Sequence, residues 1–354
     1  MSRVRVGVAG CGHISTAAHI PILMRMRSVE VTAIADTEER ARRAVRRLAP
    51  SASQHATIEE LLQSGRIDAV VIALPTALHA SAATIAFNSG VNVYLEKPVA
   101  TTLADTAPLL EAWRKSGRIG AIGHNYRFNT LYQRMRESIR SGSVGNPVEI
   151  RTEFAIPSPP PGSWRDSNSS GGGVLLDLAT HHIDLLRFLT SDEVQSVSAV
   201  IESRRNESDF ATIEMSFGLG TTASVTCSYA DSFNDTVTVR GERGKLRVDR
   251  ARSWDVEFIP AGRVMYGSRR RLPSLDQLRH VLRKLRSPFH EPSFETALTA
   301  FVDAIRSGGK FTPDLDDGIA ALRVAEAARA SAKSGMPIAI DTPDSDSRTS
   351  PAEQ

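Results

Sequence analysis

Cysteine is almost missing: only Cys11 and Cys227 occur in 354 residues. Two thiols can build neither a disulfide framework nor a cysteine-rich zinc site, which points to a reducing compartment. No uninterrupted apolar run is long enough to span a bilayer. Met1-Ser-Arg-Val-Arg-Val6 enters a strand pattern with no apolar signal-peptide stretch, so the expected location is the cytoplasm, with no membrane partner. An excess of one charge is lacking too. Lys plus Arg number 43 against 40 Asp plus Glu, a net charge of +3. So small and dispersed an excess does not suit a nucleic-acid binder, though it leaves room for an anionic ligand. What is present, 41% hydrophobic and 23% charged residues, supports a sizeable core and excludes disorder for most of the length. At about 150 residues per domain, the length suggests two domains.

The first third alternates apolar runs with helical patterns. Val4–Ala9, Val29–Ala35, Ala69–Leu74, Val91–Leu95 and Ile119–His124 are rich in Val, Ile and Ala, as suits parallel strands buried on both faces. Helical stretches fall near Ile14–Met26, Glu38–Leu48, Ile58–Leu62, Ala77–Asn88 and Leu103–Lys115. This alternation predicts an α/β domain with a Rossmann-type doubly wound parallel sheet over residues 1–124. Beyond it, the strictly alternating Ala211–Phe217 and Ala223–Tyr229, with Val148–Phe154, Thr236–Val239 and Lys245–Val248, read as a large, open, mainly antiparallel sheet. Helices are expected near Leu131–Ile139, Val174–Leu189, Phe294–Arg306 and Leu315–Ala332, giving an α+β domain over 125–340. Asp341–Gln354 is polar and reads as a disordered tail.

Gly10-Cys-Gly12-His13-Ile14-Ser15 follows the first strand and opens the first helix. Gly10 allows the turn, and Gly12 lets the backbone approach a pyrophosphate at the helix N-terminus. Asp36 ends the second strand, where a carboxylate grips ribose hydroxyls and repels a 2′-phosphate. The expected cofactor is therefore NAD, with NADP not excluded. Asp36 could instead cap the helix beginning near Glu38, and Arg40 and Arg42 read as a solvated helix face. Val93-Tyr-Leu-Glu96-Lys97-Pro98 ends a later strand, which points Lys97 into the crevice beyond the strand ends.

These motifs come in order with Leu74-Pro75-Thr76-x-x-His79 and Gly171-Gly-Gly-Val-Leu-Leu-Asp177-Leu-Ala-Thr-His181-His182-Ile-Asp184. The ordered set, spanning Val4 to about Ile340, resembles the glucose–fructose oxidoreductase / inositol dehydrogenase / rhizopine catabolism (Gfo/Idh/MocA) family. Ser15 stands where the first turn usually has glycine or alanine, and Ala179 where the family commonly has glycine. The resemblance implies NAD(P)-linked oxidoreduction of a sugar, inositol, nucleotide sugar or related polyol. It implies cofactor contacts from Gly10, Gly12, His13, Ile14, Asp36, Pro75, Thr76, His79, Glu96 and Lys97, and catalytic roles for Lys97, Asp177 and His181. It also makes Asn125 and Arg127, after the last strand of the first domain, candidates for substrate binding.

Read physically, Asp177, His181 and Asp184 are four and then three residues apart and share a helix face. Gly171–Gly173 would let the backbone approach a ligand. His181 suits the base that takes a hydroxyl proton, and Asp177 either orients it or binds substrate. His182 falls beside the leucines and reads as structural. Trp164 and Arg165, in the Pro157–Gly173 loop, are further substrate candidates. No metal is expected. Arg269–Arg286 holds seven basic residues and one acid on a leucine-bearing helical pattern. It suits a subunit contact, an acidic surface or attraction of an anionic substrate. A homodimer or homotetramer is expected. Two other readings stay open: a glycosidase using NAD transiently, and a non-enzymatic sensor of cofactor or sugar.

Overall fold

Six apolar runs form one parallel sheet: β1 (Val4–Ala9), β2 (Val29–Ala35), β3 (Ser53–His55), β4 (Ala69–Ile72), β5 (Asn92–Leu95) and β6 (Gly120–Ile122), in the order β3-β2-β1-β4-β5-β6. The computed structural model describes residues 2–65, 67–168, 171–230, 232–262 and 291–341. The basic stretch 269–286 and the tail after residue 341 lie outside them. Every residue of β4, β5 and β6 is buried, as strands covered on both faces require. The order reverses between β1 and β4, and the crevice beyond the strand ends opens there.

β1 feeds a π-helical turn, Ser15–His19, before α1 (Ile20–Arg25). Pro21 has no N–H to donate, so the helical ladder changes where the chain reaches it. The wide turn carries His19 into the interior. The other helices of this domain are α2 (Glu39–Arg46), α3 (Ile58–Gln63), α4 (His79–Asn88) and α5 (Thr106–Ser116).

The second sheet runs β13-β12-β11-β7-β10-β9-β8-β14. Its members are β7 (Pro147–Pro157), β8 (Val194–Glu202), β9 (Phe210–Phe217), β10 (Thr222–Ala230), β11 (Asn234–Gly241), β12 (Gly244–Asp249), β13 (Glu257–Pro260) and β14 (Ile338–Ala339). β7 and β10 pair in parallel and the other neighbours antiparallel. Along β10, Ala223, Val225, Cys227 and Tyr229 are buried while the residues between them are not. α6 (Thr130–Arg140), α7 (Thr180–Thr190) and α9 (Leu315–Ser334) accompany this sheet. By contrast, α8 (Pro292–Ser307) returns to the first: Leu298, Phe301 and Val302 join the cluster of Val6, Ile20, Val71 and Tyr94. The covering of the parallel sheet therefore crosses the boundary placed near residue 124.

A polar hub sits inside the second domain. Asp235 is fully buried and accepts hydrogen bonds from Tyr126 Oη (2.8 Å), Tyr132 Oη (3.0 Å) and Arg250 Nε (2.6 Å). Burial alone would raise its carboxyl, but the Arg250 charge and the hydrogen bonds outweigh burial and hold it well below the usual carboxylate range. A carboxyl depressed in the folded state contributes stability that is complete above about pH 4 and fades as pH falls toward the folded value. Asp235→Asn is expected to be about 3–5 kcal/mol less stable at neutral pH and to lose less than wild type below about pH 4. Urea midpoints across that range check this; parallel stability–pH curves for the two proteins would contradict it.

Candidate functional site

A cleft of about 760 Å³ starts at the turn after β1, passes the ends of β4 and β5, and reaches the helical segment that begins α7. At its first end Gly10 has φ +96°, and a Cβ there would lie 2.3 Å from the Ala73 carbonyl oxygen, so only glycine fits. A Cβ on Gly12 would meet nothing within 4 Å. The backbone there faces open space, beside His13 and Ile14, which also line the cleft. Ser15 is buried, its hydroxyl without a hydrogen-bond partner among the described residues. Cys11, in the same turn, is buried, and burial pushes its thiol up to about 12, which keeps it in the thiol form at neutral pH.

Asp36 lies just past β2. Its Oδ2 accepts from the Cys11 N–H at 2.7 Å and its Oδ1 from the Glu38 N–H at 2.8 Å. The carboxylate thus ties the glycine turn to the residue before α2 while lining the cleft; it does not cap that helix, whose N-cap position is Glu38. Arg42 is not a solvated face residue. Its guanidinium turns back to donate to the carbonyls of Asp36 and Thr37, the latter at 3.1 Å. Glycine turn, acid and open backbone together suit a dinucleotide at this end of the cleft.

Pro75 and His79 line the middle of the cleft. The His79 ring nitrogens lie 2.7 Å from the Pro98 carbonyl and 2.8 Å from that of Leu74. The ring staples the loop after β4 to the loop after β5. Thr76 is not among the cleft-lining residues. It is buried, and its Cβ would be 2.5 Å from a Cβ on Gly171.

Glu96 is buried and pairs with His19 Nε2 at 2.8 Å. Burial opposes its charge, but the His19 hydrogen bond and the neighbouring His19 and Lys97 charges keep its carboxyl below the ordinary range. The next residue, Lys97, crosses to the second domain. Its Nζ donates to the Asp177 carbonyl at 2.6 Å and lies 3.4 Å from Asp177 Oδ1. Asp177 also accepts from Arg165 Nε at 2.8 Å, Arg165 Nη2 and Tyr229 Oη at 3.0 Å. Burial would raise this carboxyl; the Lys97 and Arg165 charges hold it down. It is an anchor with its lone pairs engaged.

His181 lines the same end of the cleft. Its Nδ1 is buried without a hydrogen-bond partner, and its ring stacks on Tyr126 with centroids 4.7 Å apart. Burial first, then the Lys97 charge, push its proton affinity far below that of an ordinary histidine. A neutral imidazole at neutral pH can accept a proton. Trp164 and Arg165 line the cleft here as well, as does Phe294 from α8.

The structure does not gather every expected residue. Residues 175–179 form a π-helical turn before α7, so Asp177 and His181 do not share an α-helical face, and no hydrogen bond joins them. Asp184 points elsewhere: it is fully buried and pairs with Arg127 through bonds of 2.9 and 2.6 Å. Arg127 also bonds Asp317 at 3.2 and 2.9 Å, because a guanidinium at a buried seam must be neutralised. Asn125 is buried and donates to Ser293 Oγ at 2.8 Å. Neither Asn125 nor Arg127 lines the cleft. The glycines before the helix serve packing rather than ligand approach: a Cβ on Gly172 would sit 2.3 Å from the Arg165 carbonyl oxygen, and one on Gly173 2.5 Å from Asn168 Oδ1. His182 is fully buried on Phe154, with centroids 5.1 Å apart, and 3.5 Å from Asp235, a structural position as expected. Tyr126, Tyr229, His19 and Phe294 escaped the sequence reading. Only Tyr229 left a signal there, a hydroxyl on the buried face of an alternating strand.

Comparison with known proteins places these features in a family. The model for the oxidoreductase family with an NAD-binding Rossmann fold matches residues 4–124, and that for the GFO/IDH/MocA C-terminal domain matches residues 132–247. The uncharacterized oxidoreductase YrbE of Bacillus subtilis is 27% identical over 96% of this chain and 97% of its own. A myo-inositol 2-dehydrogenase of Thermotoga maritima is 26% identical over 72% of this chain and 77% of its own. The WlbA dehydrogenase of Bordetella pertussis, solved with NADH and UDP-GlcNAcA, superposes with a TM-score of 0.83 at 24% identity, covering 97% of this chain and 99% of that one.

Proposed function

Since the chain belongs to the GFO/IDH/MocA oxidoreductase family and carries an NAD-binding Rossmann domain, we propose that it interconverts a secondary alcohol and a ketone on a sugar, inositol or nucleotide sugar. The observation that carries this reading is the meeting of Lys97, from the first domain, with Asp177 and His181, from the second, at the far end of the cleft that starts at the glycine turn. The named activity of the inositol dehydrogenase relative supports the substrate class.

When bound, the nicotinamide supplies the hydride acceptor or donor. His181 takes the hydroxyl proton in the oxidation direction from its place at the far end of the cleft. Lys97 Nζ donates a hydrogen bond to the reacting oxygen, held in place by the carbonyl and carboxylate of Asp177. Arg165 and Tyr229 fix that carboxylate. Trp164 and Arg165, at the same end, contribute to substrate binding. The test is a panel of inositols, sugars and nucleotide sugars incubated with NAD and with NADP, followed by absorbance of the reduced cofactor. Turnover of at least one member is expected; binding of cofactor with no turnover of any member would favour a sensor.

Asp36 makes NAD the preferred cofactor. Asp36→Ser is expected to weaken NAD binding and, with Arg42 held beside the same site, to narrow or invert the preference toward NADP. Comparing kcat/KM for the two cofactors checks this. A wild-type preference for NADP would refute the role given to Asp36.

A further inference from the structure

Tyr126 is buried, and its ring lies nearly parallel to the His181 imidazole, the planes 21° apart. The tyrosine is held at two places. Its hydroxyl donates to Asp235 at 2.8 Å, and the Arg250 guanidinium lies over its ring, 4.9 Å from the centroid. Arg250 is itself fixed between Asp235 at 2.6 Å and Glu291 at 2.7 Å. Phe154 closes on the edge of the imidazole at 6.1 Å. We infer that Tyr126 and Arg250 are positioning residues for His181: Tyr126 sets the plane of the imidazole, and Arg250, sharing the same ring, keeps that imidazole unprotonated between turnovers.

A tyrosine stacked on an imidazole would, by itself, favour the imidazolium, because a π face attracts cations. A guanidinium already over that ring draws on the same negative potential and disfavours a second cation, against the opposing charges of Asp235 and Glu291 that hold it. Other charges reach His181 as well. Lys97 after β5 disfavours its protonation, and the rings of His124 after β6 and of His182 lie among its neighbours. The carboxylates on its own helical segment are engaged elsewhere, Asp177 with Lys97 and Arg165, Asp184 with Arg127. Tyr126 itself stays neutral, since burial raises its hydroxyl well above the ordinary value.

This inference rests on the assignment of His181 as the base, and the two are separable by experiment. The full-length protein, labelled with ¹⁵N-histidine, is titrated by NMR with and without NAD, the His181 signal being the one lost in His181→Gln. The pH dependence of kcat is measured alongside. Arg250→Met is expected to raise the His181 midpoint by about one unit, tenfold in proton affinity, and Arg250→Lys to keep the wild-type midpoint. If Arg250→Met does not fold, the double variant with Asp235→Asn removes both charges and is titrated instead, with the same upward shift expected relative to Asp235→Asn alone. Tyr126→Phe keeps the ring but forfeits its anchoring bond to Asp235 and should lose less kcat than Tyr126→Leu, which should lose about tenfold or more, with KM for NAD unchanged. An unmoved His181 midpoint on loss of the Arg250 charge, or equal kcat for the Phe and Leu variants, overturns the inference. Wild-type turnover in His181→Gln overturns instead the assignment of the base, whatever the NMR titration shows.

Discussion

Lys97→Ala is expected to lower kcat by about 10²–10³-fold, the loss that follows removal of a hydrogen-bond donor aimed at a reacting oxygen. NAD affinity should change little. The asymmetry comes from where Lys97 stands. The glycine turn and Asp36, at the other end of the cleft, make no contact with its ammonium. The fold should also survive. Asp177, which loses Lys97, keeps Arg165 Nε at 2.8 Å and Tyr229 Oη at 3.0 Å, so no buried carboxylate is left bare. Titration of the variant with NAD, beside steady-state rates on the accepted substrate, separates the two effects. Turnover within about twofold of wild type would refute the role of Lys97 as donor.

The adjacent histidines give the second large contrast. His181→Ala should lose about 10²–10⁴-fold in kcat, the usual cost of a positioned general base, and stay folded, because its Nδ1 has no partner to forfeit. His182→Ala should do the opposite. Its ring is fully buried against Phe154 at 5.1 Å and lies 3.5 Å from Asp235. Truncation leaves a cavity beside a buried carboxylate, and a loss of about 2–4 kcal/mol in unfolding free energy is expected. Urea unfolding and kinetics on both variants check the pair. An inactive but stable His182→Ala alongside an active His181→Ala would show that the base lies one residue later.

Local signals carried much of this site. The strand–glycine–helix pattern of Val4–Met26, the acid at Asp36 and the strand-ending Lys97 obey short-range rules of backbone geometry and sheet topology, and the structure brings all of them to one cleft. Side chains whose meaning depends on distant partners were not legible. Arg127 looks like a substrate arginine until Asp317, 190 residues later, is seen to neutralise it. Asp184 looked like a member of the Asp–His set because it shares α7 with His181, three residues on, but its buried carboxylate is taken by Arg127, 57 residues earlier; only Asp177 is separated from that helix by the π turn at 175–179. Tyr126 gave no warning at all. Its use follows from Asp235, 109 residues away, and from a stack that no sequence spacing encodes.

In the proposed reaction a hydride leaves a secondary carbinol carbon in the cleft between Lys97 and His181. This transfer is tested most directly with the accepted substrate deuterated at that carbon and unlabelled NAD, the reduced cofactor being recovered and its deuterium measured. The predicted result is deuterium in the nicotinamide ring, together with a slower rate for the labelled substrate. Product formed while the cofactor stays unlabelled would contradict it.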